Sequence, residues 1–233
     1  MGPSGGRRYV YTAITGRTDA LAAPGAIPPG WRCVCFSDSE DHPEWETRQP
    51  SGESLDPVRR ARLHKLMPHT LFPDAEISLW IDGNVSVECD LDSLVEAHLG
   101  DCDIAFHAHP QRDCIYDEAV ACLRRGKDDP EAVLQQAVGY ALDGHPRHAG
   151  LVATAVVLRR HTPEIAAFNE RWWKELESGS HRDQISAPVV LSEMGVRFSL
   201  FDSALWEGPL FGWRRHDGSG RRKGQRPPAR HAT

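Results

Sequence analysis

The segment Ile77-Ser78-Leu79-Trp80-Ile81-Asp82-Gly83-Asn84 is the strongest indication of fold class in this sequence. Its first five residues are typical of a buried strand, and Asp82-Gly83-Asn84 is typical of a tight turn. A strand that ends in this way delivers an acidic side chain to its carboxyl end. In α/β sheets that edge is where ligands bind. Asp82 and Asn84 are therefore the first candidate site residues.

Strand and helix patterns alternate on both sides of this segment. The predicted strands are 9–14, 31–36, 77–81, 103–107, 151–158 and 196–201, and the predicted helices are 57–66, 91–99, 115–125, 130–142, 164–176 and 184–194. This alternation predicts one α/β domain over residues 9–213, with a mostly parallel central sheet and helices on both faces. Residues 1–8 are predicted to be a flexible N-terminus.

Charge is unevenly distributed along the 233 residues, whose formal net charge is −6. Residues 214–233 carry seven cations and one acidic residue, which leaves the rest of the chain at −12. We therefore predict a disordered basic tail over 214–233. This tail either solubilises the protein or contacts an anionic polymer or a membrane surface. The acidic body argues against sequence-specific DNA readout as the main activity.

Other features of the sequence indicate a cytoplasmic protein. No stretch reaches the roughly 18 apolar residues that a transmembrane segment needs, and the N-terminus lacks a signal-peptide pattern. The six cysteines include no Cys-x-x-Cys pair, so reduced thiols are expected. A glycine-rich dinucleotide loop, a Walker loop and a nucleophile elbow are also missing from the body. Their absence argues against a dinucleotide oxidoreductase, a P-loop enzyme and an α/β-hydrolase.

Four residues have side chains suited to binding a metal ion or a diphosphate, two in the segment 77–84 and two in the helix predicted before it. Mg²⁺ and Mn²⁺ prefer oxygen ligands and often share them with a substrate diphosphate, which suits Asp82 and the neutral oxygen of Asn84. An ordinary turn between strands explains the same residues. Arg62 and Lys65 lie on one side of a predicted helix, either as a diphosphate-binding ridge or as a solvated face.

Further candidates follow the later strands. His107 and His109 have strand spacing, so together with Arg112 they are expected to form a polar wall against the substrate. No third ligand follows at a distance familiar from zinc sites. Asp113 is a candidate for general acid/base catalysis. Asp183 is either the cap of a helix or a partner for substrate hydroxyls.

Several rare sequence strings carry a family resemblance. They are Tyr11-Thr-Ala-Ile-Thr15-Gly16, Cys35-Phe-Ser-Asp38, Arg62-x-x-Lys65-x-x-Pro68-His69, Trp80-Ile-Asp82-Gly-Asn84, His109-Pro-x-Arg112-Asp113, Gly150-Leu151 and Arg182-Asp183-Gln184. Over about residues 9–201 the chain resembles a glycosyltransferase-like family long known as a domain of unknown function (DUF616). That family occurs in bacterial polysaccharide gene neighbourhoods and in plant cell-wall and mucilage proteins.

This resemblance implies a GT-A-like (Rossmann-like) fold and the transfer of a sugar from a nucleotide sugar, with a UDP-sugar favoured, to a hydroxyl of a glycan. It implies that Asp82 and Asn84 hold Mn²⁺ or Mg²⁺. Retention of the sugar's configuration is favoured, whereas inversion needs a carboxylate base, for which Asp113 and Asp183 are the candidates. The positions that the resemblance assigns to the nucleotide sugar are Thr15, Gly16, Asp38, Arg62, Lys65, Asp82, Asn84, Gly150 and Gln184.

Two other functions stay open at this point. One is a hydrolase of the amidase or ceramidase type, for which the pair His107 and His109 is the hint. The other is a non-catalytic module that binds nucleotides or sugars, which Asn84 in place of a second acidic residue favours. Within the transferase reading, a small natural product or a modified nucleic-acid base is an alternative acceptor.

Overall fold

The computed structural model describes residues 7–16, 21–39 and 42–214 of the chain. Its strands are β1 (Arg7–Ile14), β2 (Trp31–Ser37), β3 (Glu46–Arg48), β4 (Ala75–Ile81), β5 (Val85–Val87), β6 (Ile104–Ala108), β7 (Val152–Arg160), β8 (Ser199–Leu200) and β9 (Phe211–Trp213). Its helices are α1 (Pro57–Leu66), α2 (Pro68–Leu71), α3 (Leu91–His98), α4 (Ile115–Arg125), α5 (Pro130–Leu142), α6 (Pro163–Ser178) and α7 (Asp183–Glu193).

The central sheet has seven strands in the order β3-β2-β1-β4-β7-β6-β8. All neighbouring strands run parallel except β7, which is antiparallel to both β4 and β6. Strand β7 is apolar on both faces because it lies between two strands in the middle of the sheet. The predicted mostly parallel α/β class is confirmed, and the strand predicted at 151–158 proves to be the antiparallel one.

Helices cover both faces of this sheet, as predicted. Helices α1, α2, α6 and α7 pack on one face around fully buried side chains such as Phe168 and Trp172. On the other face α3 packs through Leu91 and Leu94, beside a two-stranded ribbon formed by β5 and β9. Burying apolar side chains on both faces stabilises the sheet and leaves its strand ends accessible to ligands.

Helix α1 is positioned by local signals at both of its ends. The Asp56 carboxylate caps its first turn by accepting hydrogen bonds from the backbone N–H groups of Val58 and Arg59, both at 3.0 Å. Pro57 occupies the first helical position, and Pro68 follows the C-terminus. The Thr15 hydroxyl donates to the Pro57 carbonyl oxygen at 2.5 Å, which ties the start of α1 to the end of β1.

Several boundaries differ from the predictions. Strand β1 begins at Arg7, so the predicted flexible segment 1–8 overlaps the sheet by two residues, and its other residues lie outside the described ranges. The predicted tail 214–233 also lies outside them, apart from Arg214. The short elements β3, β5, β9 and α2 were not predicted. Among the described helices, none combines the length and the apolar character needed to cross a membrane.

Candidate functional site

A cleft of about 370 Å³ opens at the carboxyl ends of β1 and β4. Thr15 follows β1 and Asp82 follows β4, while Thr154 reaches the same edge from the amino end of the antiparallel β7. Helix α1 supplies Arg62, and the start of α7 supplies Gln184. The cleft therefore lies where the topology of an α/β sheet gathers ligand-binding residues.

A buried ion pair forms the floor of the cleft. The Lys65 ammonium lies 2.5 Å from Oδ2 of Asp183, and both side chains are almost fully buried. The ammonium also donates to the Thr154 hydroxyl at 3.1 Å and lies 3.7 Å from Oδ1 of Asp82. Arg62 approaches the same Asp183 oxygen at 3.5 Å. Lys65 is therefore surrounded by oxygen atoms from three elements of the fold.

Asp183 is held in its ionised form by this arrangement. Burial on its own would raise the pKa of the Asp183 carboxyl, but the charges of Arg62, Lys65 and Arg182 outweigh burial and hold that pKa well below its usual range. A general base works best when its pKa lies near the operating pH. Asp183 is thus placed to anchor cations in the cleft, and the proton-accepting role predicted for it does not fit its surroundings.

Asp82 presents its carboxylate at the cleft surface, with about a third of the side chain exposed. The Trp80 indole N–H donates to Oδ1 of Asp82 at 2.9 Å, and the Asp82 backbone N–H donates to the Ala155 carbonyl oxygen at 2.8 Å. These bonds fix the carboxylate at the end of β4. A carboxylate at the surface of such a cleft fits a divalent cation that shares its ligands with a diphosphate.

Asn84 connects the cleft to the C-terminal segment. Its side-chain amide nitrogen donates to the Arg214 backbone carbonyl oxygen at 3.0 Å, and the Asn84 backbone carbonyl oxygen accepts from the Arg214 backbone N–H at 2.9 Å. These two bonds continue the pairing of β5 with β9 by one residue. Asn84 lines the cleft as predicted, and a divalent cation would find only a neutral oxygen on this side chain.

Positive charge exceeds negative charge around the cleft. Its charged lining residues are Arg62, Lys65, Lys127 and Arg182 against Asp82 and Asp183. The Nε atoms of Arg62 and Arg182 are buried, and that of Arg62 lies 3.5 Å from Oδ2 of Asp183. An excess of positive charge in a concave site favours the binding of an anion. The cleft can therefore bind a diphosphate group.

Three residues predicted to contact the nucleotide sugar do not line this cleft. Gly16 has a φ of +73°, and a Cβ atom there would lie 2.6 Å from Cβ of Pro57, so its place in the turn after β1 requires glycine. Asp38 lies at an exposed position and forms an ion pair with Arg60 at 3.1 Å. Gly150 is exposed in the loop before β7.

The structure separates the residues of the predicted substrate wall, because His107 lies inside β6 whereas His109 follows the end of that strand. His109 and Arg112 line a second, smaller pocket, as expected of a polar wall. His107 is instead 1% exposed and packs against the rings of Phe201 and Phe211. Burial lowers the pKa of His107 to about 4, which keeps the imidazole neutral. His107 therefore lies in the core and not at a substrate wall, because it shares the face of β6 that carries Ala105, and the rings of Phe201 and Phe211 cover that face.

Asp113 lies outside the cleft as well. Its exposed carboxylate contacts Nδ1 of His148 at 2.7 Å, and this hydrogen bond lowers the pKa of Asp113. Its neighbours Cys114 and Asp117 form, with His148, a group of potential metal ligands in which Cys114 is buried and His148 is exposed. The position of Asp113 does not match the general acid/base role predicted for it, because the residue shares no pocket with Asp82.

Sequence reasoning assigned no site role to four residues of the cleft that carry polar groups: Trp80, Lys127, Thr154 and Arg182. Thr154 was detectable, since it is a polar residue inside the apolar stretch that forms β7. Trp80 was interpreted only as a strand residue, but its indole N–H donates a hydrogen bond to the carboxylate of Asp82, two positions later. Lys127 follows α4 and gave no signal, because its place beside the cleft depends on how α4 packs against α7.

A mostly parallel α/β sheet with a cationic cleft at its carboxyl edge is an architecture typical of nucleotide-binding proteins. The chain belongs to the family of TOD1/MUCI70 glycosyltransferase-like domains, which it matches over residues 53–207. This membership confirms the resemblance that the sequence strings indicated.

Two relatives from Arabidopsis thaliana are similar to this chain. A probable hexosyltransferase, MUCI70, is 29% identical over 149 residues, which cover 60% of this chain and 26% of that protein. An alkaline ceramidase, TOD1, is 26% identical over 190 residues, which cover 76% of this chain and 39% of that protein. The chain therefore spans less than half the length of either relative.

Two solved structures are similar to this chain over most of its length. The apo structure of the bifunctional glycosyltransferase WbbM matches with a TM-score of 0.48 and 12% identity, covering 85% of this chain and 39% of that one. The apo form of mouse xyloside xylosyltransferase 1 matches with a TM-score of 0.46 and 10% identity, covering 84% of each chain.

Proposed function

We propose that this protein is a glycosyltransferase that moves a sugar from a nucleotide sugar, with a UDP-sugar favoured, to a hydroxyl of a glycan. The observation that carries this proposal is the cationic cleft beside the Asp82 carboxylate at the carboxyl edge of the sheet. Membership of a glycosyltransferase-like family supports it. In this proposal the cleft binds the diphosphate of the donor.

In this mechanism the cations of the cleft stabilise the leaving diphosphate. Arg62 and Arg182 line the cleft, where their guanidinium groups would donate to phosphate oxygens of the donor. The Lys65 ammonium is held in place by its ion pair with Asp183 and its hydrogen bond to the Thr154 hydroxyl. Preorganised positive charge of this kind stabilises negative charge that develops on the leaving group.

Asp82 is the residue that would hold a divalent cation, Mn²⁺ or Mg²⁺, together with the donor diphosphate. Such an ion, when bound, neutralises part of the charge of the leaving group. The Trp80 indole N–H orients the Asp82 carboxylate, and the Lys65 ammonium lies 3.7 Å from its Oδ1. Asn84 contributes a neutral oxygen at most, since its amide nitrogen is bonded to Arg214.

Retention of configuration is the stereochemical outcome that we propose. Inversion needs a carboxylate positioned to accept the proton of the acceptor hydroxyl. Asp183 is ion-paired with Lys65 at the floor of the cleft, and Asp113 lies outside the cleft. A mechanism in which the departing phosphate accepts that proton needs no protein base, and it suits this set of residues.

Amide hydrolysis is the second candidate, since one relative is named an alkaline ceramidase. A metal-dependent hydrolase holds its ion with about three protein ligands. His107 and His109, which suggested this function, lie in different environments, the first in the core and the second in a pocket. The cationic lining of the cleft favours an anionic substrate, and therefore the transferase.

The test is thermal unfolding of the full chain with UDP, GDP, CDP, ADP or dTDP, each with and without Mn²⁺. A ligand present at a hundredfold excess over its dissociation constant stabilises the native state by about 2.7 kcal/mol. We expect a shift with UDP that requires Mn²⁺, that is lost in Asp82→Ala and that is kept in the matched variant Asp113→Ala. UDP-sugar cleavage, measured as UDP release, should follow the same pattern. Failure of all five nucleotides to shift the midpoint would refute the proposal.

A further inference from the structure

A second pocket of about 140 Å³ adjoins the proposed donor cleft. Lys127, Arg182 and Gln184 line both cavities, so they form the boundary between them. Helix α4 contributes Arg125 to the second pocket only, and Trp206 contributes its indole at the mouth. A ligand in this pocket would therefore lie directly beside the donor.

The second pocket is strongly cationic. Its Glu118 carboxylate is buried and accepts from Nε of Arg112 at 2.6 Å, so these two charges compensate each other. Arg125 and Lys127 also line the pocket, and neither forms an ion pair with a residue in ranges 7–16, 21–39 or 42–214. Arg182 lines it as well and interacts with the charges of Asp183 and Glu118. The lining thus carries four cations against one carboxylate, in a protein whose net charge is −6. Such a concentration of one sign attracts an anionic ligand.

The mouth of this pocket offers an apolar surface. Trp206 is 50% exposed although it is a large aromatic residue. Indole rings expose a flat apolar face, which complements the C–H face of a pyranose ring while the ring hydroxyls meet polar groups. A site lined by an exposed indole and by several cations is suited to a sugar that carries an acidic group.

We propose that this pocket binds a carboxylate or phosphate group on the acceptor glycan, with the sugar ring against Trp206. This inference rests on the proposed transferase function, because it assigns the acceptor to the cavity beside the donor. In this proposal the Arg125 guanidinium forms the charged hydrogen bond with the acidic group. Lys127 and Arg182 contact the region shared by both substrates.

The test measures the binding of paired sugars to the full chain by calorimetry, with and without UDP. The probes are trigalacturonate against neutral galactotriose, and glucose 6-phosphate against glucose. A charged hydrogen bond contributes enough for about a tenfold preference for the acidic sugar of a pair. We expect Arg125→Gln to lose most of that preference. Arg124→Gln, in the same helix turn but outside the pocket, should keep it.

Each outcome of this experiment is decisive. Equal binding of acidic and neutral sugars, or equal losses in Arg125→Gln and Arg124→Gln, would overturn the inference. The two probe pairs distinguish a carboxylate from a phosphate as the recognised group. Trp206→Ala should weaken the binding of acidic and neutral sugars by the same factor. An effect on the binding of only one kind of sugar would refute the contact between the sugar ring and the indole. UDP binding without an acidic preference refutes this inference alone, whereas absent UDP binding refutes the donor site.

Discussion

The ion pair between Lys65 and Asp183 offers the most direct test of the cleft geometry. Its atoms are 2.5 Å apart, and the side chains are 1% and 2% exposed. At an effective dielectric constant of about 20, the attraction between unit charges at this distance is about 7 kcal/mol. Desolvation of the two ions opposes that attraction, so the pair adds little net stability. Removing one partner, however, leaves the other charge buried without its counterion.

We expect Lys65→Met and Asp183→Leu each to lower the free energy of unfolding by about 3–5 kcal/mol. We expect losses near the lower end of this range, because each remaining charge keeps one partner. Asp82 lies 3.7 Å from Lys65, and Arg62 lies 3.5 Å from Asp183. The double variant removes both charges and should cost less than the sum of the single variants by about 2–3 kcal/mol.

The assay is urea unfolding at pH 7 for the wild type, both single variants and the double variant. The matched control is the surface pair of Arg7 and Asp74, which has the same separation of 2.5 Å but side chains that are 62% and 43% exposed. Its coupling energy should stay below about 1 kcal/mol. Equal coupling energies for the buried and the surface pair would refute the reasoning.

Two further predictions concern residues outside the cleft. His107 has a folded-state pKa of about 4 against an ordinary value of 6.5, so unfolding takes up a proton between these pH values, and this group alone lowers the stability by about 3 kcal/mol as the pH drops from 7 to 4. In His107→Phe, urea unfolding at both pH values should show a smaller loss, and an unchanged loss would contradict the assignment. Asp113→Asn should change UDP-sugar cleavage less than twofold, roughly within the scatter of surface substitutions. A hundredfold decrease in kcat would restore Asp113 as a catalytic candidate.

Much of the fold could be predicted because its signals are local. The predicted bounds of α1, α4 and α5 match the observed ones, since these helices carry proline or aspartate at their starts or the left-handed Gly126 at an end. Elements β3, β5, β9 and α2 escaped prediction because three or four residues are too short to show a hydrophobic period. They exist because neighbouring segments supply their hydrogen-bond partners.

Part of the candidate site could also be predicted from the sequence. Asp82 was placed at a strand end by the order of residues alone, and the three-residue spacing of Arg62 and Lys65 put both on one side of α1. Which side of α1 faces the cleft could not be read, because a solvated face has the same spacing. Packing of α1 against α6 decides it. Arg59, on the same ridge, instead donates to the carbonyl oxygens that end α6.

The α/β class, the order of most elements and the acidic strand end could be predicted from the sequence, since these depend on periodicity and on neighbouring residues. The ion pair of Asp183 with Lys65, the burial of His107 beside a pocket-lining His109, and the bond of Asn84 to Arg214 became visible only in the folded chain. These roles arise from contacts between segments far apart in the chain. The burial and charge around each group set its pKa and its availability, and no local pattern encodes those quantities.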